Sequence, residues 1–141
     1  MKTTARARNN ARLYTVQALY QKKVADHTFS ELKTQYYADN AERHYTDWDL
    51  FYRLMDAVRE NQDTIDDYIQ NNSKNGIESI NYVDYAVLQV AIAELIECIE
   101  NPYQVIIKEY VEICYSMGTE EGYKFVNAVL QNLAKSIRGE E

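Results

Sequence analysis

Three arginines stand within the first dozen residues, Arg6, Arg8 and Arg12, with no acid among them. Arg8 and Arg12 are four apart and would project from one face of a helix, where guanidinium forks suit phosphates and base edges. A second group, Tyr123-Lys124-Phe125 with Asn127, lies at the expected start of the last helix. A helix N-terminus offers unpaired amides and a positive dipole end. An aromatic ring with a lysine and an asparagine can stack on and read a single-stranded base. The plainer reading stands beside it: Phe125 in the core and Lys124 in solvent.

The other chemistry-bearing residues do not assemble into a catalytic set. His27 and His44 fall in expected loops or helix ends, with no cysteine or carboxylate at metal-ligand spacing. Glu109 and Glu112 share a helix, but neither is followed by the histidine of a Glu-x-x-His di-iron pair. There is no Gly-rich phosphate loop, HExxH or GxSxG. The thirteen tyrosines, Tyr36-Tyr37 included, read as core-edge packing. The sequence predicts binding rather than catalysis, with no catalytic residue, no metal and no cofactor.

Helices must position these groups. Leu13, Val16, Leu19 and Tyr20 give the first segment, about residues 4–23, one apolar stripe. Thr28 with Glu31 has capping-box spacing and opens a helix near 29–43. Thr46 is the next expected cap, before one long helix holding Leu50, Leu54, Met55, Val58, Ile65 and Ile69. The polar run Asn71–Gly76 is the clearest break. Asn81 and Asp84 mark the next start, and Val83 to Ile99 is apolar almost all round, which places that helix in the middle of a bundle. Asn101 is expected to cap a helix with Pro102 at its first position, and Gly118 to end it in the left-handed region. Thr119 then caps the last helix, with Glu120 and Glu121 in its first turn. The expected architecture is all-α, a bundle of six to seven helices.

At 141 residues the chain can bury a core without disulfides or metals. Four glycines and one proline argue against a loop-rich β fold. Cys98 and Cys114 read as two buried thiols of a cytoplasmic protein. No run reaches a membrane span, and the N-terminus has no apolar signal core, so no membrane partner is expected. The net charge of −7 hides an asymmetry: residues 1–25 carry six bases and no acid, while the rest carries nine bases against twenty-two acids. A basic segment on an acidic body can still meet phosphate.

Four stretches carry a resemblance. Arg8-Asn9-Asn10-Ala11-Arg12 leading into Val16-Gln17-Ala18-Leu19-Tyr20 resembles the Arg-rich opening and "VQALY" of the NusB family of bacterial transcription antitermination factors. Val83-Asp84-Tyr85-Ala86-Val87-Leu88 with Ala93-Glu94-Leu95, then Pro102 to Glu109, then Lys124-Phe125-Val126-Asn127-Ala128-Val129-Leu130 are similar to three further family motifs, in the family's order. The resemblance implies one domain of two small lobes, about 1–75 and 76–141. It implies binding of boxA RNA from ribosomal RNA leaders, together with the small-subunit ribosomal protein acting as NusE. That complex helps RNA polymerase, in its antitermination complex, resist termination. Mapped onto this chain, the RNA surface comprises Arg8, Arg12, Lys124, Phe125 and Asn127, and the partner-protein surface Tyr20 and Asp84.

The chain departs from the family pattern in places. Asn9 and Asn10 stand where bases are expected, which lowers RNA affinity and its salt dependence. Gln89 replaces a commonly basic residue, Ala128 a glycine, and Gly122-Tyr123 a small polar residue and a histidine. Two other readings compete. One is a helical protein-binding adaptor without RNA contact. The other is the RNA-binding module of a ribosomal RNA methyltransferase, disfavoured because 141 residues leave no room for a catalytic domain. The apolar stripes would serve a core or a homodimer interface equally.

Overall fold

The computed structural model describes residues 3–42, 45–118 and 120–139. Within them the chain is helical, with no strand: α1 Ala5–Val24, α2 Phe29–Asn40, α3 Trp48–Glu60, α4 Gln62–Asn71, a 3-10 turn Ile77–Ser79, α5 Tyr82–Glu97, α6 Tyr103–Met117 and α7 Glu120–Arg138. Thr28 and Asn81 cap their helices as expected, and Thr4 caps α1. Thr4 accepts from the Ala7 amide at 3.0 Å, and Asn81 from the Asp84 amide at 2.8 Å. Thr28 and Glu31 form the reciprocal capping box. Expectations that fall on His44 and Thr119 lie outside the described residues.

Four local expectations need correction. The long third helix is two helices, divided at Asn61. The Asn61 side-chain amide donates to the Ala57 carbonyl at 2.8 Å and to Glu97 at 3.1 Å, holding the backbone out of helical geometry. The cap of α3 is Asp47, which accepts from the Leu50 amide; the Thr46 hydroxyl is buried without a partner. Pro102 occupies the cap position itself, and Asn101 turns inward instead. Gly118 is extended, not left-handed. A side chain there would crowd the Cys114 carbonyl at 3.1 Å and Val83 at 3.3 Å.

Helix α5 is the axis of the fold, packing on α1, α3, α4, α6 and α7. Every residue from Ala86 to Leu95 is buried, as expected of a helix apolar on all sides. Ile99, grouped with that apolar run in the sequence, lies beyond the helix end and is 76% exposed. Arg138 of α7 donates to the carbonyls of Leu95 and Cys98, satisfying the C-terminus of α5. Between α1, α2 and α3, the rings of Tyr14, Tyr37, Phe51 and Tyr52 surround Trp48, with Tyr14 stacked on it at 5.9 Å. Tyrosine here does pack the edge of the core. Cys98 and Cys114 are both buried, and burial first of all pushes each thiol up to about 12.

Candidate nucleic-acid interface

The opening arginines part company. Arg12 is 2% exposed and pairs with Glu94 of α5, itself fully buried. Its Nε and one terminal nitrogen both donate to that carboxylate, at 2.7 to 3.1 Å, in a bidentate fork. Tyr110 Oη donates to Glu94 Oε1 at 2.7 Å, and Asn101 Nδ2 to Oε2 at 2.9 Å. The remaining terminal nitrogen of Arg12 donates to Asn9 Oδ1 at 2.6 Å. Burial alone would lower the Arg12 pKa, but Glu94 outweighs it and the guanidinium stays charged. Tyr110, wholly enclosed beside a carboxylate, is pushed well above the phenol range. Arg12 thus does not share an open face with Arg8, because the spacing from Arg12 to Val16 and Leu19 puts it on the buried stripe of α1.

Arg8, one turn earlier, is half-buried and, among the described residues, donates to Thr3 alone. It lines a cleft of about 630 Å³ with Arg53, Asn101, Pro102 and Val105, at whose floor Arg12 sits. Asp47, Asp49 and Glu100 also line it. Arg53 is held by Glu100, whose carboxyl is lowered by that bond. The two departures at the chain start have structural uses: Asn9 holds Arg12, and Asn10 donates to the Tyr45 carbonyl at 3.0 Å.

The α7 cluster also divides. Lys124 and Asn127, one turn apart and exposed, line a groove of about 480 Å³ between α6 and α7. Phe125 is half-buried and turns to the other side of α7, packed on the core beside a separate hollow that includes Asp84. The plainer reading describes what is seen, with Phe125 packed on the core and Lys124 in solvent; Asn127 faces solvent beside it.

Of the two partner-surface residues, Tyr20 is half-buried against the core. Asp84 is 5% exposed. Asn81 donates to its Oδ2 at 3.0 Å and the Cys114 thiol to its Oδ1 at 3.3 Å. A Cβ on Gly122 would stand 2.5 Å from Oδ1, so the glycine is what lets α7 close over the carboxylate. Asp84 is not a surface acid. Lys23, one turn beyond Tyr20, lies over the rings of Tyr82 and Tyr85, so Tyr20 and the start of α5 share one neighbourhood.

Three residues missed by the sequence reading are central. Glu94 was legible as an acid deep in a helix apolar almost all round, where burial calls for a cation or several hydrogen-bond donors. Gln104 and Gln131, exposed on the α6–α7 groove, carried no sequence signal. Among the described residues no group of histidine, cysteine and carboxylates could hold a metal ion, and no helix is long and apolar enough to cross a membrane. His27 sits 3.9 Å from Glu31 at the rim.

The described residues form an all-helical bundle centred on a buried helix, with basic and amide side chains on its clefts. The NusB family profile matches residues 9–135, and the chain belongs to the NusB family. It is 34% identical over 134 residues to the transcription antitermination protein NusB of Colwellia psychrerythraea, covering 95% of this chain and 96% of that protein. It is 31% identical to the Legionella pneumophila protein of the same name, covering 99% and 95%. Among solved structures, T. maritima NusB superposes with a TM-score of 0.76 at 29% identity, covering 95% and 93%. NusB from a complex of the antitermination factors NusB and NusE with dsRNA gives 0.85 at 22% identity, covering 94% and 99%; at that identity the likeness is one of fold.

Proposed function

We propose that this chain is a non-enzymatic, cytoplasmic antitermination factor that binds boxA RNA together with the ribosomal protein acting as NusE. The observation that carries the reading is the start of α6. On one flank lies the cleft with Arg8, and on the other the groove with Lys124 and Asn127, so basic groups from opposite ends of the chain border one helical turn. Family membership supplies the function, and this juxtaposition supplies a surface for it. Arg12 then acts from beneath, holding α1 so that Arg8 faces the cleft, and Phe125 holds α7. For the partner protein, Tyr20 and the first turn of α5 form the docking region, with Asp84 setting the α5–α7 contact rather than meeting the basic partner. Exposed acids in the same region, Glu78 and Glu121, suit that partner.

With few free bases, RNA affinity is modest alone and rises with the partner. A mobility-shift titration of boxA RNA, with and without the ribosomal protein at two salt concentrations, tests this. Equal tight binding in both arms would overturn the joint mode. Arg8→Ala with Lys124→Ala is expected to weaken RNA binding while partner binding survives. No change in RNA affinity would favour the adaptor reading.

A further inference from the structure

We infer that the groove between α6 and α7 reads the identity of a single unstacked nucleobase, with Gln104 and Gln131 as specificity-determining residues. The inference rests on the RNA-binding reading above. The groove volume, about 480 Å³, lies within the range of small-ligand pockets, roughly 300–1,000 Å³. Its floor is apolar, formed by Ile107 and Val111, and two rings, Tyr103 and Tyr123, border it. Tyr115 meets the Tyr123 ring edge-on at 5.0 Å and 85°, which fixes the orientation of that ring. Flat rings with an apolar floor accept the face of any base, and so supply affinity without choice.

Choice requires polar groups at the base edge. Three amides line this groove: Gln104 from α6, Asn127 and Gln131 from α7. Gln131 donates to Asn127 Oδ1 at 3.4 Å, which leaves the Asn127 amino group and the Gln131 carbonyl to face a ligand. Together they offer a donor and an acceptor in fixed positions; adenine and cytosine carry a ring-nitrogen acceptor beside an amino donor and guanine and uracil a carbonyl acceptor beside a ring N–H, so the order of the two groups separates the bases. Gln104 on the opposite wall gives a further amide of the same dual character.

Electrostatics favour a nucleotide over an acidic peptide or a cation. Lys124 stands at the groove, and no ion pair to it occurs among the described residues. The one acid lining the groove, Glu112, is paired with Lys108 at 3.2 Å, so its repulsion of phosphate is offset. Lysine at the entrance and amides within match a phosphate outside and a base inside.

The test uses boxA RNA and a panel of its single-base variants, titrated by fluorescence anisotropy against the wild-type protein with its ribosomal partner. The wild type should show a position where changing the base costs about tenfold in affinity, the effect of one good base-edge contact. In Gln104→Leu with Gln131→Leu, both on exposed positions, that cost should fall toward onefold at that position alone. Lys124→Gln should instead weaken every RNA in the panel by a similar factor and flatten the salt dependence. Unchanged discrimination in the double glutamine variant overturns the inference while leaving the RNA-binding reading intact. Uniform weakening of the panel, or loss of partner-protein binding instead, overturns it as well. No binding of any RNA by the wild type would overturn both.

Discussion

Arg12 shows how a residue type can mislead when its position on the helix is ignored. Its charge and its neighbour Arg8 suggest a surface group, yet Val16 and Leu19, four and seven residues on, place it on the apolar stripe. Its partner is Glu94, fully buried on α5, where a carboxylate left without partners would be costly. Removing one member of such a pair leaves an uncompensated buried charge, so Arg12→Ala should destabilise the protein by about 3–5 kcal/mol. Arg8→Ala, at a rim position, should stay within about 0.5 kcal/mol. Urea midpoints of the two variants measure this, and an Arg12→Ala protein as stable as wild type would refute the burial argument. On the RNA-binding reading proposed above, RNA affinity should separate the two in the opposite order, because Arg8 stands at the open side of the cleft and Arg12 is enclosed at its floor.

The contact between α5 and α7 depends on a single missing methyl group. Gly122→Ala gains about 0.5–1 kcal/mol of helix propensity. It also drives a Cβ to 2.5 Å from Asp84, a carboxylate already held by Asn81 and Cys114. Overpacking of that kind typically costs 1–3 kcal/mol, so the net effect should be a loss of about 1–2 kcal/mol. Thermal unfolding followed by circular dichroism gives the answer; an unchanged or raised midpoint would show that Asp84 moves aside freely. Ala128, the other small-residue departure, is exposed and has room for its methyl. Two helix starts were legible because caps are local chemistry, at Thr28 with Glu31 and at Asn81 with Asp84, whereas at Thr46 and Asn101 the neighbouring Asp47 and Pro102 take the cap position. The break at Asn61 was not legible, because the apolar period runs on through it from Val58 to Ile65 and the bonds that divide the helix reach across to Glu97. The site was legible only in part for the same reason. Lys124 and Asn127 carry a motif, and Gln131 lies one turn further along the same helix, but Gln104 opposite them comes from α6 and meets them only in the folded chain.

Over the whole molecule, the proposed RNA binding must be reconciled with acidic character locally: Asp47, Asp49 and Glu100 line the same cleft as Arg8, with Glu100 paired to Arg53, whereas the one acid lining the Lys124 groove among the described residues, Glu112, is paired to Lys108. We propose that the two lobes, meeting near residues 75 and 76, unfold as one unit. The Arg12–Glu94–Tyr110 network and the packing of α1 on α5 cross between them. Trp48, the only tryptophan, reports on α1–α3, while helicity reports on the whole. Fluorescence and circular dichroism should therefore give coincident denaturation curves. A Trp48 transition at clearly lower denaturant would mean that the lobes separate first.

The enclosure of both cysteines has a practical corollary. With each thiol at about 12 and out of solvent, thiol reagents near neutral pH find almost no nucleophile on the native wild-type chain. One cysteine introduced at an exposed position, such as Thr64 on α4, would then carry a fluorophore alone. The native protein is already a silent background for distance measurements during RNA and partner assembly.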